Sequence, residues 1–115
     1  PAMNILKGEC QSNQIQLSSG AILKANSKHK GEVNVGLRPE DFTIDEKGTI
    51  KLKVELVELI GANTLIHGRL ENSNEILVAS IAGVISDSKI GNHINLSFNE
   101  NKLHLFDINS DQRIN

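Results

Sequence analysis

Gly36-Leu37-Arg38-Pro39-Glu40-Asp41-Phe42, residues 36–42, is the stretch whose reading decides the fold. Ahead of it, Val33, Val35 and Leu37 alternate with Asn34, Gly36 and Arg38, the period-two pattern of a half-buried strand. Pro39 must end that strand, because it has no N–H for the ladder and its ring biases Arg38 toward extended backbone. Proline at a first helical position, followed by two acids that complement the positive end of a helix dipole, predicts one short helical turn after Arg38. Arg38 is left at the strand end, on the face opposite Leu37.

Outward from this heptapeptide, polar turn clusters cut the chain into short extended segments, and no window keeps apolar residues at helical spacing. The expected strands are Met3–Glu9, Gln14–Leu17, Ala21–Lys24, Glu32–Leu37, Thr49–Leu59, Thr64–Leu70, Glu75–Ile81, His93–Phe98 and Leu103–Phe106. Turns are expected at Ser18-Ser19-Gly20, Glu46-Lys47-Gly48, Gly61-Ala62-Asn63, Glu71–Asn74 and Asn99–Asn101, where Gly and Asn accept positive φ or bond their own backbone. Gly61 in particular joins two strands and is expected at positive φ. The fold class is therefore all-β, a small barrel or sandwich. The chain divides loosely at Asp45–Gly48 into two strand-rich halves, with no internal sequence repeat.

One irregularity stands out in Thr49–Leu59. Leu52, Val54 and Leu56 keep one parity, and the apolar positions then move to Val57 and Leu59. A β-bulge near Leu56-Val57 would produce that slip, bending a long strand so that it serves both halves of a barrel. Lys51, Lys53 and Glu55 would share an outer face, with Glu58 returning to it after the bulge. Ala25–Gly31, holding Lys28-His29-Lys30, reads as a mobile, solvated loop.

Composition narrows the function. The chain of 115 residues has 38% hydrophobic and 23% charged residues, three Phe, no Tyr or Trp, and a formal net charge of −2. A length of this order supports a single hydrophobic core without disulfides or metal, so one domain over residues 1–115 is expected. Few aromatic platforms and a negative balance argue against nucleic acid as a partner. With Cys10 as the lone cysteine, neither an intramolecular disulfide nor a paired-thiolate zinc site can form, which suits a reduced, cytoplasmic setting. No apolar run approaches the roughly 20 residues of a membrane helix, and no secretory signal opens the sequence. Because the sequence starts at Pro1 and not at Met, it reads as a piece of a longer polypeptide.

Enzymatic chemistry finds little support. No GxxxxGK[ST] loop is present to cradle phosphates, so no catalytic or cofactor-binding residue is assigned. His29, His67, His93 and His104 are far apart, without an HxxxH or HExxH pair, and no metal site is assigned. His67 and His104 fall in strands and read as outward-facing or hydrogen-bonded. Asp41, Asp45 and Glu46 form a cap and a solvated turn.

The heptapeptide resembles the GxRPE signature of the TOBE domain, the C-terminal domain of ATP-binding subunits in ABC importers of the maltose and sn-glycerol-3-phosphate type. Three other segments match in family order: Pro1-Ala2-Met3-Asn4, similar to sPAMN; Glu58-Leu59-Ile60-Gly61 with Asn63-Thr64, similar to VExLGxET; and Leu103-His104-Leu105-Phe106-Asp107 with Arg113-Ile114, similar to LHLFDxxTGxRI. Ile60, Ala62-Asn63 and Ser110-Asp111 depart from those patterns, the last standing where Thr-Gly is usual.

This resemblance implies an OB-like β-barrel with additional strands, joined in the complete protein to an ABC ATPase domain that alone would bind ATP and magnesium. It further implies a homodimer of ATP-binding subunits at the inner face of the membrane, membrane permease subunits, and in some members a regulatory protein or the transported solute as partner. Arg38, Glu40, Glu58 and Phe106 are the candidate partner-contact residues. For Arg38 a salt bridge, for Glu40 a helix-start acid and for Phe106 a place in the core or as a barrel plug are the structural alternatives. A converging site built from Arg38, Glu58 and Asn63 is the sharper expectation for the Gly61 region. A barrel holding a small oxyanion or solute is the second functional reading; relatives of that kind use paired short barrels, and no duplication is visible in this sequence.

Overall fold

A computed structural model describes residues 3–85 and 90–115. Among these residues are ten strands: β1 (Asn4–Gln11), β2 (Gln14–Leu17), β3 (Ile22–Lys24), β4 (Gly31–Leu37), β5 (Phe42–Ile44), β6 (Ile50–Ile60), β7 (Asn63–Leu70), β8 (Ile76–Ala82), β9 (His93–Phe98) and β10 (His104–Asp107). The fold is all-β and OB-like. Nine of the strands fall where the sequence pattern predicts them, within one or two residues at each end. β5 was not anticipated: Phe42 and Ile44 are too few to show alternation. Pro1 and Ala2 of the first family-like segment lie outside the described residues.

All strand pairs are antiparallel, in two five-stranded sheets ordered β10-β4-β1-β2-β3 and β5-β9-β6-β7-β8. These orders are the same. In each sheet a three-strand meander has its first strand at the centre, that strand pairs on its other side with a fourth, and the fourth carries an outermost strand. The outermost strands are exchanged: β5 leaves the first half to lie on β9, and β10 leaves the second half to lie on β4. The duplication that the sequence does not show is thus present in topology. Each exchange is made by a single 3₁₀ turn, Pro39–Asp41 between β4 and β5 and Glu100–Lys102 between β9 and β10. Pro39 performs the first by ending the ladder of β4, as its missing N–H requires.

The exchange knits one core. Leu6, Ile15, Val35, Leu37 and Leu105 from the first sheet and Ile50, Leu52, Ile66, Leu77 and Leu96 from the second are all at most 1% exposed and belong to one buried cluster. Ala25 and Ser27 are buried too, so the expected loop is fastened to the core at its start, while Lys28 and Lys30 at its tip are exposed, as expected. The Ala25 N–H donates to the Asn13 carbonyl at 2.9 Å, and Ser27 Oγ accepts from the His29 N–H at 3.1 Å.

The β-bulge exists, one to two residues earlier than predicted. Pairing runs Val54 with Gly68 and then Leu56 with His67, which leaves Glu55 as the extra residue. Leu56 had read as the last inward residue of its series. It is 48% exposed and points outward. Gly68 explains the location: a Cβ there would strike the Lys53 carbonyl oxygen and sit 2.8 Å from Leu52 Cγ. The two backbones approach more closely beside the bulge than a side chain permits.

Candidate functional site

The junction after β4 carries two of the four candidate residues. Arg38 is extended (φ −79°, ψ 142°) and its carbonyl accepts from the Asp41 N–H at 3.0 Å, closing the 3₁₀ turn. Its guanidinium makes no ion pair among the described residues, so the salt bridge entertained from sequence does not form. Glu40 is exposed at the turn and likewise has no side-chain partner among them. The acid that is engaged is Asp41, whose Oδ1 lies 3.7 Å from Lys102 Nζ. Lys102 belongs to the other 3₁₀ turn, so this pair links the two crossing points of the fold.

Phe106 is neither core nor plug. It sits half-buried on the outer face of the first sheet, opposite Asn34, two register positions from the His104–Gly36 pair. A Cβ on Gly36 would meet Met3 Sδ and would lie 2.8 Å from Phe106 Cε2. The signature glycine is therefore needed for close approach, giving Phe106 and Met3 a seat on β4, and its φ is not in the left-handed region. The rings of Phe106 and His104 stack, with centroids 6.4 Å apart and planes 18° from parallel. Burial pushes the His104 pKa down, as do the charges of Arg113 and Arg38, with Asp41 opposing them.

Glu58 lies elsewhere, on β6 beyond the bulge, where its Oε1 is 2.6 Å from His67 Nε2. Asn63 is the first residue of β7 and pairs with Ile60. No contact among the described residues joins Arg38 to Glu58 or Asn63, so the convergence of these three is not found. The hairpin turn is Gly61-Ala62, with Gly61 at φ 62° as predicted. Around it the surface is unusually apolar: Leu56, Leu59 and Ile60 are 48%, 59% and 55% exposed, and nearby in sequence to β8 Val84 is 77% exposed. Thr64, directly opposite Leu59 in register, is fully buried. Its Oγ1 donates to the Gly83 carbonyl at 2.6 Å and accepts from the Ile85 N–H at 3.1 Å, which fastens the segment after β8 to the hairpin.

The apolar tip was missed from sequence, yet its signal was present. The same parity slip that announced the bulge also placed large apolar residues on both faces of β6, more than one core can cover.

For other chemistry the molecule offers little. No group of three or more His, Cys, Asp or Glu side chains is placed to hold a metal among the described residues. Burial raises the Cys10 thiol pKa, against a hydrogen bond with Ser27 that lowers it, leaving an unreactive thiol. A cleft of about 410 Å³ is lined by Lys7 together with Glu9 and Glu32, a poor electrostatic match to an anion. Another of about 290 Å³ gathers Lys24, Lys47, Thr49 and Ser97 with Glu100. Among the described residues no helix is long and apolar enough to cross a membrane.

Residues 35–106 match the TOBE domain family. The chain is 37% identical over 114 residues to the sn-glycerol-3-phosphate import ATP-binding protein of Ruegeria pomeroyi, a match covering 99% of this chain and 32% of that protein. It is 29% identical over 130 residues to the oligosaccharides import ATP-binding protein of Bacillus subtilis, covering 99% of this chain and 35% of that protein. The chain thus spans about a third of the length of the curated relatives it matches. Among solved structures, a cytoplasmic molybdate-binding protein superposes with a TM-score of 0.65 at 13% identity, covering 89% of this chain and 94% of that one.

Proposed function

Because this chain belongs to the TOBE domain family, we propose that it is the C-terminal dimerisation and regulatory domain of the ATP-binding subunit of a bacterial ABC importer for sugars or glycerol-3-phosphate-like solutes. The import ATP-binding proteins it resembles along 99% of its length support that placement. ATP and magnesium then belong to the adjoining ATPase domain, and transport involves permease subunits in the membrane. Tethering two subunits through this domain keeps the ATPase halves at high mutual concentration when ATP is absent.

The observation that carries the dimerisation reading is the apolar tip of the β6–β7 hairpin. β9 pairs with β6 only over Ile50–Lys53, so Leu56–Ile60 extend past it, backed by β7. Leu56 and Ile60 on one face of this extension and Leu59 on the other, all about half exposed, form an apolar edge of the kind that marks protein contact. Glu58, among them, supplies a polar rim. Replacing Leu59 and Ile60 by Asp should abolish concentration-dependent self-association in light scattering while leaving the circular dichroism spectrum unchanged. Wild-type chain that stays monomeric at millimolar concentration, or a variant that associates equally well, would sink this reading.

A second reading, an oxyanion or solute site, draws on the duplicated strand order and on the cleft holding Lys24, Lys47, Thr49 and Ser97. The likeness to a molybdate-binding protein is one of fold. Micromolar binding of molybdate, phosphate or glycerol-3-phosphate in calorimetry, lost on Lys24→Gln with Lys47→Gln, would favour it over a purely structural role.

A further inference from the structure

On the outer face of the first sheet, Ile5, Gly36 and His104 form one straight cross-strand row, and Phe106 lies in the next. Arg38, extended just beyond the end of β4, continues the parity of Gly36. Arg113 is bridged to Phe106 and so faces the same way. Both guanidinium groups are close enough to His104 to oppose its protonation. Asp41, whose charge favours protonation of His104, is engaged by Lys102, Glu40 is exposed at the turn after Arg38, and Arg113 Nε is held by Asn115 Oδ1 at 3.2 Å. Two arginines thus flank a stacked His104–Phe106 pair beside Ile5, itself 49% exposed, on a chain whose net charge is −2.

We propose that this corner, formed by Arg38, His104, Phe106, Arg113 and Ile5, is a docking surface for an acidic segment of a partner protein, one that presents carboxylates on either side of an apolar or aromatic side chain. Charge complementarity selects the occupant. Guanidinium forks fit carboxylates in bidentate fashion, and Arg with aromatic residues is the composition of energetically dominant contact sites. The shape selects a protein segment over a small anion, which needs a concavity: the clefts of about 410 and 290 Å³ are lined by other residues. This deepens the regulatory reading by naming the chemistry of the partner received. It does not depend on the apolar tip, so loss of association in the Leu59 and Ile60 variants leaves its test untouched.

The test titrates the 115-residue chain with the peptide acetyl-Glu-Glu-Phe-Glu-Glu-amide and follows backbone amide shifts by NMR. Shifts confined to 4–6, 34–38, 104–106 and 113, weakened by salt, are expected. Affinity should fall at least tenfold on Arg38→Gln with Arg113→Gln and should stay unchanged on Lys28→Gln with Lys30→Gln, an exposed basic pair elsewhere. Shifts at the cleft lysines instead, equal affinity in the arginine variant, or equal binding of the lysine analogue of the peptide would overturn the proposal. Inorganic phosphate alone producing the same shifts at similar affinity would overturn it in favour of a small-anion site, and the same shifts on simple concentration of the chain would overturn it in favour of self-contact.

Discussion

The two sheets share one strand order and differ in how their shared strands end. β1 is eight residues long and regular; β6 is eleven and bulged at Glu55. The first hairpin turns through Ser12-Asn13, both at positive φ (53° and 63°), whereas the second uses Gly61-Ala62 with positive φ only at its first position. These are the two geometries, types I′ and II′, that match strand twist in two-residue hairpins. The outermost strand β10 is sealed by Asn115: its Nδ2 donates to the Leu103 carbonyl at 2.8 Å and the Leu105 N–H donates to its Oδ1 at 2.9 Å. The β6–β7 hairpin runs beyond its neighbours with apolar side chains uncovered. One topology thus serves as a closed scaffold in one half and, through a single inserted residue, as a projecting surface in the other.

The bulge is where this contrast should break most violently. Gly68→Ala drives a methyl into the Lys53 backbone, which cannot turn aside, and should cost about 3 kcal/mol. Gly8→Ala is the counterpart in the regular sheet, where the new methyl would lie 2.7 Å from Ile15 Cγ2. The obstacle is a side-chain methyl and not backbone, but it belongs to the fully buried, β-branched Ile15 and the Gln16 carbonyl oxygen lies 3.2 Å away, so the loss should be about 2 kcal/mol, still below that of Gly68→Ala. Urea midpoints at unchanged slope measure both. Equal losses would mean that the bulge imposes no special closeness.

Thr64→Val keeps the buried shape but removes the hydroxyl that bonds Gly83 and Ile85. Leaving the Ile85 N–H without that acceptor should cost about 2 kcal/mol, with hydrogen exchange at Ile85 accelerated. Unchanged protection would show that the hydroxyl is not what ties this segment to the hairpin.

The turns sharpen the comparison on a smaller scale and with opposite signs. Gly61→Val forces a β-branched residue to φ 62° and should cost about 1–3 kcal/mol. Ser12→Gly relieves a non-glycine residue at φ 53° and should gain as much as about 1 kcal/mol. Melting temperatures moving the same way in both would refute positive φ at one of these two first turn positions.

What was legible in the sequence follows the physics of each signal. Alternation such as Val33, Val35, Leu37 is enforced over a whole strand by burial, so nine strands could be read. The Pro39 stop and the Gly61 turn were legible because each rests on backbone stereochemistry local to one residue. β5 carries too few residues to establish a period, and Ser12-Asn13 lacks the glycine by which a tight hairpin announces itself. The exchange of β5 and β10 is a long-range choice that no local pattern encodes. Of the candidate residues, Arg38 and Phe106 do share one outer face, because both continue the outward parity of paired strands. Glu58 does not join them, since neighbours across sheets depend on that exchange. The Asp111 position shows the converse: at φ 59° it adopts the left-handed geometry that the family's usual glycine accepts freely, so the turn keeps its shape despite the substitution.

The smallest effect concerns the two strand histidines. His67 on the second sheet faces the carboxylate of Glu58, whereas His104 on the first faces Arg113 and Arg38. Burial and those two charges hold the folded-state pKa of His104 below its ordinary value of 6.5, so the unfolded chain takes up the proton more readily. The stability tied to neutral His104 is therefore present above pH 6.5 and drains away as pH falls below it. His104→Gln, which cannot take up that proton, should lose less stability than wild type between neutral and mildly acidic pH. Arg113→Gln should raise the His104 pKa measured by NMR titration, while Lys102→Gln, by freeing Asp41 to face the imidazole, should raise it as well. A wild-type His104 titrating at or above 6.5 would mean that Asp41 outweighs both arginines, and the first sheet's corner would then lack the uncompensated positive charge that sets it apart from the second.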